Sequence, residues 1–345
     1  MTEGINVTVI GATGDLGKPL LRRLDAEPAV SGIRAVGRNH FDPGKAGLAR
    51  VSFVPADVLD PAAIAGAVAG ADVVMHLAFL IFGRRRQTRA INIDGSRNVF
   101  RAAASAGVKR MIYASSVAAY GFYNDRPLPL TEELPLRVNR NYFYTEEKVA
   151  TEQILAEVAA GTGIEVYVFR PCVIAGEESL ALVRDNPLMR MGERFPAGLL
   201  RGLGRLGLRP LVFDAGVPMQ LVHAQDVAEA LTLAVIGTGS PGAYNLAAPE
   251  ELSIAEVARE LDWPVIRIPV AAARAVRRLA TLTPWTPPEL QFYSHLLSAP
   301  MTVSCDRAER DLGWKPRHSG RSVLSETVAS ARRQGLLPQL SRPRQ

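Results

Sequence analysis

The chain has little cysteine, little lysine and no long apolar run. Cys172 and Cys305 are its only cysteines in 345 residues. That excludes a disulfide scaffold and a cysteine-rich metal centre, and fits a reducing compartment, so a cytoplasmic location and no metal are expected. The longest apolar stretch, 73–82, is interrupted by His76 and falls well short of the ~20 residues of a spanning helix, so no integral membrane segment is expected. The first residues show no basic region followed by an apolar core, as a secretory leader would. No repeat of 20–50 residues is evident. Lysine stands only at 18, 45, 109, 148 and 315, so arginine supplies 35 of the 40 basic residues. The net charge of +6 is small for this length, and no aromatic–basic surface motif accompanies it, so nucleic acid is not an expected partner. What is present is a globular balance, 48% hydrophobic and 21% charged, which excludes disorder for the bulk of the chain.

The first half alternates short β-branched runs with helical patterns. Strands are expected at 5–10, 33–36, 51–54, 73–77, 111–114 and 165–169, with helices at 16–26, 61–68, 89–106 and 144–161. This alternation predicts βαβ units and a parallel, doubly wound sheet. From 177 to 218 the chain is rich in Gly, Arg, Leu and Pro with weak periodicity. Helical patterns return at 225–235, 253–261 and 270–282, with a short strand at 243–246. Residues 336–345 read as a flexible tail.

The first strand runs into Gly11-Ala12-Thr13-Gly14-Asp15-Leu16-Gly17. Gly11 permits a tight turn, Gly14 lets a pyrophosphate approach the backbone, and Gly17 allows close helix–strand packing. The helix that follows directs its free N–H groups and positive dipole end at the phosphates. At the end of the second strand, Val36-Gly37-Arg38-Asn39 lacks the acid that holds a ribose 2′-hydroxyl in NAD sites. Arg38 can pair with a 2′-phosphate and stack on adenine, which favours NADP(H) over NAD(H). Asp57, followed by Val58, is a candidate acceptor for the adenine amino group. A helix cap is its alternative, although Asp60 is better placed for that.

Two segments carry chemistry. One is Tyr113-Ala114-Ser115-Ser116-Val117-Ala118-Ala119-Tyr120-Gly121, after the fifth strand. The other is Tyr144-Thr145-Glu146-Glu147-Lys148, whose tyrosine and lysine share a helix face four residues apart. A phenol with a pKa near ~10 is a poor base at neutrality, and a nearby ammonium lowers it. Tyr144 can then exchange a proton with a substrate oxygen that a serine hydroxyl also holds.

Gly11-x-x-Gly14-x-x-Gly17, Ser-Ser-x-x-x-Tyr-Gly and Tyr144-x-x-x-Lys148 together resemble the extended short-chain dehydrogenase/reductases, the NAD(P)-dependent epimerase/dehydratase family. His76-Leu77-Ala78, Asn92, Arg170-Pro171, Gln220-Leu221-Val222-His223-x-x-Asp226, Tyr244-Asn245 and Leu312-Gly313-Trp314 follow in order. The resemblance implies an α/β fold: a Rossmann-type doubly wound parallel sheet with a smaller, mostly helical C-terminal cap. It places the dinucleotide-binding domain at 1–176, with 218–248 returning to it, and the substrate-binding cap at 177–217 and 249–335. It implies Ser116, Tyr144 and Lys148 as the catalytic group. It also implies that Leu77, Ala78 and Phe79 line the middle of the cofactor, that the backbone from Pro171 to Val173 faces the nicotinamide, and that Asn92 lies beneath the site. A buried hydrogen bond is an equal alternative for Asn92. His223 and Asp226 take structural roles, and a homodimer through the helices after strands four and five is expected.

Two departures bear on the substrate. Val173 stands where nucleotide-sugar members have asparagine, and Val117-Ala118-Ala119 replaces the acidic pair of sugar dehydratases. The segment 180–213 mixes leucines and methionines with Arg184, Arg190, Arg194, Arg201, Arg205 and Arg209. An apolar pocket with an arginine is one reading, and a packed cap with solvated arginines is the other. The basic amphipathic pattern at 270–282 suits a plain surface helix or an acidic membrane or partner. The expectation is an NAD(P)-dependent oxidoreductase acting on a ketone or secondary alcohol of an apolar small molecule. A nucleotide-sugar epimerase and a non-catalytic NADP-binding protein are the alternatives.

Overall fold

A computed structural model describes residues 4–184, 210–283 and 286–337. Its centre is a seven-stranded parallel sheet. The strands in sequence are β1 (Ile5–Ile10), β2 (Val30–Gly37), β3 (Val51–Pro55), β4 (Val73–His76), β5 (Arg110–Ala114) and β6 (Glu165–Pro171), joined by Gly242–Leu246. Their spatial order is Gly242–Leu246, β6, β5, β4, β1, β2, β3. The order reverses between β1 and β4, which opens a crevice at the C-terminal strand ends. All four residues of β4 are buried, as a strand covered on both faces requires.

Helices cover both faces. On one side α1 (Gly17–Asp25) packs with the helix Ala224–Val235, and Leu20, Leu21, Leu24, Val227 and Leu231 share a core with the sheet. On the other, α2 (Pro61–Val68), α4 (Ser96–Ser105) and α5 (Phe143–Ala159) close a second core around Ile64, Val99, Phe100 and Leu155. Asp60 caps α2 through the Ala62 and Ala63 N–H groups, both at 3.0 Å. A third core gathers Val212, Met219, Leu252, Val257, Val323 and Val328 in the C-terminal part. This is a Rossmann-type α/β fold with helical segments toward the C-terminus.

The structure adds elements that the sequence pattern did not mark. Val173–Ala175, Pro218–His223 and Glu251–Ser253 form a small sheet, and Val212–Asp214 pairs with Val265–Arg267. Most of these strands have three residues, too few for an alternation to be read. The expected helix at 89–106 begins earlier, with α3 (Arg85–Arg89), and passes through a π-helical turn, Ala90–Gly95, before α4. The turn ends at Gly95, where a Cβ would lie 2.5 Å from Val58 Cγ2. The leucines, methionines and arginines expected to shape the cap at 185–209 lie outside the described residues, as do 338–345.

Two glycines of the first turn are demanded by the protein itself. Gly11 has φ +88°, and a Cβ there would lie 2.6 Å from Ala78 N. At Gly17 a Cβ would lie 2.3 Å from Ala12 O, a backbone atom that cannot swing aside. Gly17→Ala is therefore expected to destabilise the protein by about 1–3 kcal/mol in urea unfolding, from overpacking between α1 and the turn.

Candidate active site

The crevice is built from the turn after β1, the ends of β2 to β6, and the start of α5. Thr13 lies against the end of β2: a Cβ on Gly37 would be 3.1 Å from its hydroxyl oxygen. Arg38 follows directly, exposed and with no partner among the described residues. Gly14 donates its N–H to Gly11 O at 3.2 Å, and a Cβ there would meet only that oxygen, at 3.4 Å. The N–H groups of Asp15, Leu16 and Gly17 have no backbone acceptor among the described residues. Leu16 offers α1 no side-chain cap, and the first turn has no acid. Asp15 is paired with Arg184, Nη2 to Oδ2 at 2.9 Å.

The other expected cofactor residues stand at the ends of β3, β4 and β6. Leu77 donates its N–H to Ile10 O at 2.9 Å, continuing the β1–β4 ladder and setting Ala78 against Gly11. Asp57 accepts the Leu59 N–H at 3.0 Å, in a local turn. Val58 is buried, and its carbonyl accepts from Asn98 at 3.0 Å. Pro171 ends β6; Val173 begins the next short strand, opposite Leu221.

Asn92 is fully occupied by the protein. Its Oδ1 accepts the Leu80 N–H at 2.7 Å. Its Nδ2 donates to Leu80 O at 2.9 Å and to Glu147 Oε2 at 2.7 Å. Both amide hydrogens are thus spent on fixing the loop after β4 to α5. These are contacts of the kind the buried-hydrogen-bond alternative requires, and they use both amide hydrogens.

Tyr144 and Lys148 are buried in one corner, with half-buried Ser116 against the tyrosine and half-buried Phe79 against both. Ser116 ends the strand-to-turn passage and accepts the Ala118 N–H at 3.2 Å, starting the short helical turn Val117–Tyr120. Lys148 is buried, donating to Ala114 O at 3.0 Å and Tyr113 OH at 3.3 Å. Its ammonium lies 3.7 Å from the centroid of the Phe79 ring, which meets Tyr144 edge-on at 5.8 Å. Burial pulls the Lys148 pKa down to about 7, with Glu152 opposing. Burial also raises the Tyr144 pKa above that of a free phenol, with the Ser116 hydroxyl opposing. The lowered tyrosine pKa expected from the Tyr–Lys spacing is thus not what this structure holds. Desolvation dominates, and the lysine directs its protons at Ala114 and Tyr113.

Beneath this corner lies a buried ion pair. Arg170 Nη2 meets Glu152 Oε2 at 2.7 Å, and Nε meets Oε1 at 3.2 Å. Ser115 donates to the same carboxylate. Arg170 Nη1 donates to Tyr120 OH at 2.9 Å, and Tyr120 OH to Asn245 Oδ1 at 2.9 Å. Asn245 continues to Leu130 O and Ser304 O, each at 3.2 Å. Glu152 was not singled out from the sequence, although it stands four residues beyond Lys148 on the same face of α5. Thr88 was also missed; it donates to Glu147 at 3.2 Å.

His223 and Asp226 fall outside this corner. His223 Nδ1 accepts the Gln225 N–H at 3.1 Å and caps the helix Ala224–Val235. Asp226 accepts from the His318 backbone and ring, both at 3.1 Å. The His223 and His318 rings stack 3.9 Å apart, with Glu326 3.3 Å from His223 Nε2. Because His223 Nδ1 accepts that hydrogen bond, the neutral ring carries its proton on Nε2. A protonated Nε2 facing the Glu326 carboxylate at 3.3 Å does not suit a metal ligand.

A glycine turn thus lies at the crevice of a Rossmann-type sheet, with Ser116, Tyr144 and Lys148 beyond the end of β5. The sequence profile of the NAD dependent epimerase/dehydratase family matches residues 7–247, and the chain belongs to that family. It is similar to human 3 beta-hydroxysteroid dehydrogenase type 7, 27% identical over 93% of this chain and 94% of that protein. It is also 27% identical to the 3 beta-hydroxysteroid dehydrogenase/Delta 5-->4-isomerase of Mycobacterium tuberculosis, over 81% of this chain and 78% of that one. A short-chain dehydrogenase/reductase superfamily protein from Agrobacterium tumefaciens, solved with bound NAD, superposes with a TM-score of 0.70 at 20% identity, covering 95% and 98% of the two chains. Among the described residues no helix is long and apolar enough to cross a membrane.

Removing one member of the buried pair leaves the other charge without a partner. Arg170→Leu is expected to cost about 3–5 kcal/mol of unfolding free energy by denaturant titration.

Proposed function

We propose that this chain is an NADP(H)-preferring oxidoreductase that interconverts a ketone and a secondary alcohol on an apolar small molecule. The observation that carries the reading is the convergence of Ser116, Tyr144 and Lys148 in one corner at the end of β5. Residues 77–79 run from the glycine turn to that corner. The fit of a dinucleotide rests on Gly14. Gly11 and Gly17 are glycines because the protein leaves no room for a Cβ. Gly14 meets no such obstacle, so a ligand approaching its backbone accounts for it better than packing does. Three N–H groups at the start of α1 are available to phosphate oxygens. Arg38, exposed at the end of β2 with no acid beside it, is the residue to read a 2′-phosphate.

When bound, the nicotinamide supplies the hydride half of the chemistry. Tyr144 handles the proton. Its raised pKa keeps the phenol protonated at neutrality, so it can donate to a carbonyl oxygen during reduction. Ser116 is placed to hold the same oxygen. Lys148 is split between charged and neutral forms near pH 7. An anionic group arriving beside it would favour the ammonium, and with it the phenolate that oxidation needs.

The names of the two dehydrogenases above support a hydroxyl or ketone on an apolar skeleton. A sugar dehydratase or epimerase is less well supported. The turn Val117–Tyr120 is buried and has no acid, and Glu152, the nearest buried carboxylate on α5, is held by Arg170 and Ser115. The apolar Val173 stands where a diphosphate contact would be needed.

Tyr144→Phe is expected to lower turnover by ~10²–10⁴-fold while leaving cofactor affinity nearly unchanged. Reduction by the wild type should slow, and oxidation quicken, as pH rises toward the tyrosine's raised pKa. A Tyr144→Phe enzyme with full turnover would remove the assignment. Arg38→Ala should weaken NADPH far more than NADH in fluorescence titrations; an equal effect on both would leave NADP preference unsupported.

A further inference from the structure

The helix Val270–Leu282 stands at the rim of this site and buries little of itself. Its buried residues are Ala273 and Ala280. Polar contacts fix it in place: Arg277 Nη1 donates to Phe122 O at 3.0 Å, and Asn141 Nδ2 donates to Thr281 O at 3.1 Å. Asn141 lies three residues before Tyr144. On the outer side Val276 is 46% exposed, Leu279 66% and Leu282 77%. The two leucines are the most exposed large hydrophobic side chains among the described residues. With about 3.6 residues per turn, Val276 and Leu279 share a stripe with Ala272 and Ala275, and Leu282 sits at its edge.

Charge says what this stripe faces. Arg274 and Arg278 are exposed along the same edge. The helix has no acid, and the flanking acids in sequence are Asp262 and Glu289, the latter buried. The adjoining loop adds exposed Val138 and Arg140. That loop is linked to the helix through Tyr123, whose hydroxyl donates to Val138 O at 2.7 Å next to the Phe122–Arg277 bond. Asp125 on this side is held by Arg137 at 2.9 Å. An apolar stripe edged by arginines with no acidic partner among the described residues complements an anionic surface that also accepts hydrocarbon. A second copy on the same face would bring both sets of arginines onto one interface, with no acid from this helix to oppose them.

We infer that this helix docks the protein on an anionic lipid membrane. The helix lies flat, its valine and leucines enter the boundary between headgroups and acyl chains, and Arg274, Arg278 and Arg140 bind lipid phosphates. This is peripheral attachment and not a span. It places the rim beside Asn141 against the lipid. Docking does not depend on the proposed reaction.

The test is flotation of the full chain with vesicles of phosphatidylcholine alone, or of phosphatidylcholine and phosphatidylserine in equal parts. The protein should rise with the anionic vesicles, stay largely free of the neutral ones, and be released by high salt. Leu279→Asp with Leu282→Asp should reduce binding at least ~10-fold. Arg274→Gln and Arg278→Gln should each lower binding to anionic vesicles roughly 5-fold. All four positions are exposed, and unchanged thermal melts would show that folding is intact. Failure of the wild type to float, or full flotation of the double aspartate variant, would overturn the proposal. So would a wild type that stays off vesicles and dimerises by light scattering unless the leucines are replaced; the face would then belong to a second copy.

Discussion

The Glu152–Arg170 pair holds the chemical end of this protein together. Both side chains are buried, and two ions taken out of water are costly unless each finds further partners. They find them in the elements that carry the site. Glu152 belongs to α5, the helix of Tyr144 and Lys148, and it also accepts from Ser115, the neighbour of Ser116. Arg170 belongs to β6 and reaches Tyr120 at the far end of the serine turn. Through Tyr120 and Asn245 the network extends to the strand that returns to the sheet edge, and from there to Leu130 and Ser304. The hydrogen bonds with Glu152 and Tyr120 raise the Arg170 pKa above its ordinary value despite burial. The pair fixes where the serine turn, the tyrosine helix and the last strands stand relative to one another.

The helix α5 acts as a post with two working sides. Tyr144, Lys148 and Glu152 follow at intervals of four and face the serine turn. Glu147 and Thr151 face the π-helical turn: Glu147 accepts from Asn92 and Thr88, and Thr151 donates to Asn92 O at 3.1 Å. Asn92 in turn grips Leu80, which closes the loop that packs on Gly11. The nucleotide end and the chemical end are therefore coupled through buried hydrogen bonds and not only through the sheet. The same burial raises the pKa of the tyrosine and lowers that of the lysine.

Much of this was legible in the sequence, and the reasons can be traced. Most of the strands β1 to β6 carry β-branched runs, and the covered Val73-Val74-Met75 shows its burial as uninterrupted apolar sequence. The glycine turn was legible because Gly11 and Gly17 answer to backbone contacts that any such turn creates. Asp60, and not Asp57, caps α2, as its position just before Pro61 suggested. The π-helical turn was not legible, because its one extra residue leaves no mark on a helical apolar pattern. The three-residue strands offered no period. Glu152 was hidden because a glutamate on a long helix reads as solvated until its arginine, on another element, is seen beside it. The pKa of Tyr144 was misjudged because spacing on a helix reports proximity and says nothing about desolvation.

The central claim is that the glycine turn and the Ser116–Tyr144–Lys148 corner together form a working nicotinamide-dependent site for apolar carbonyl compounds. The most direct measurement is the loss of reduced-nicotinamide absorbance when the protein is mixed with NADPH and panels of apolar ketones and of nucleotide sugars. The account predicts steady consumption of NADPH with at least one apolar ketone and none with the sugars. Turnover of a nucleotide sugar without added cofactor, or tight NADPH binding with no consumption across the ketones, would contradict it.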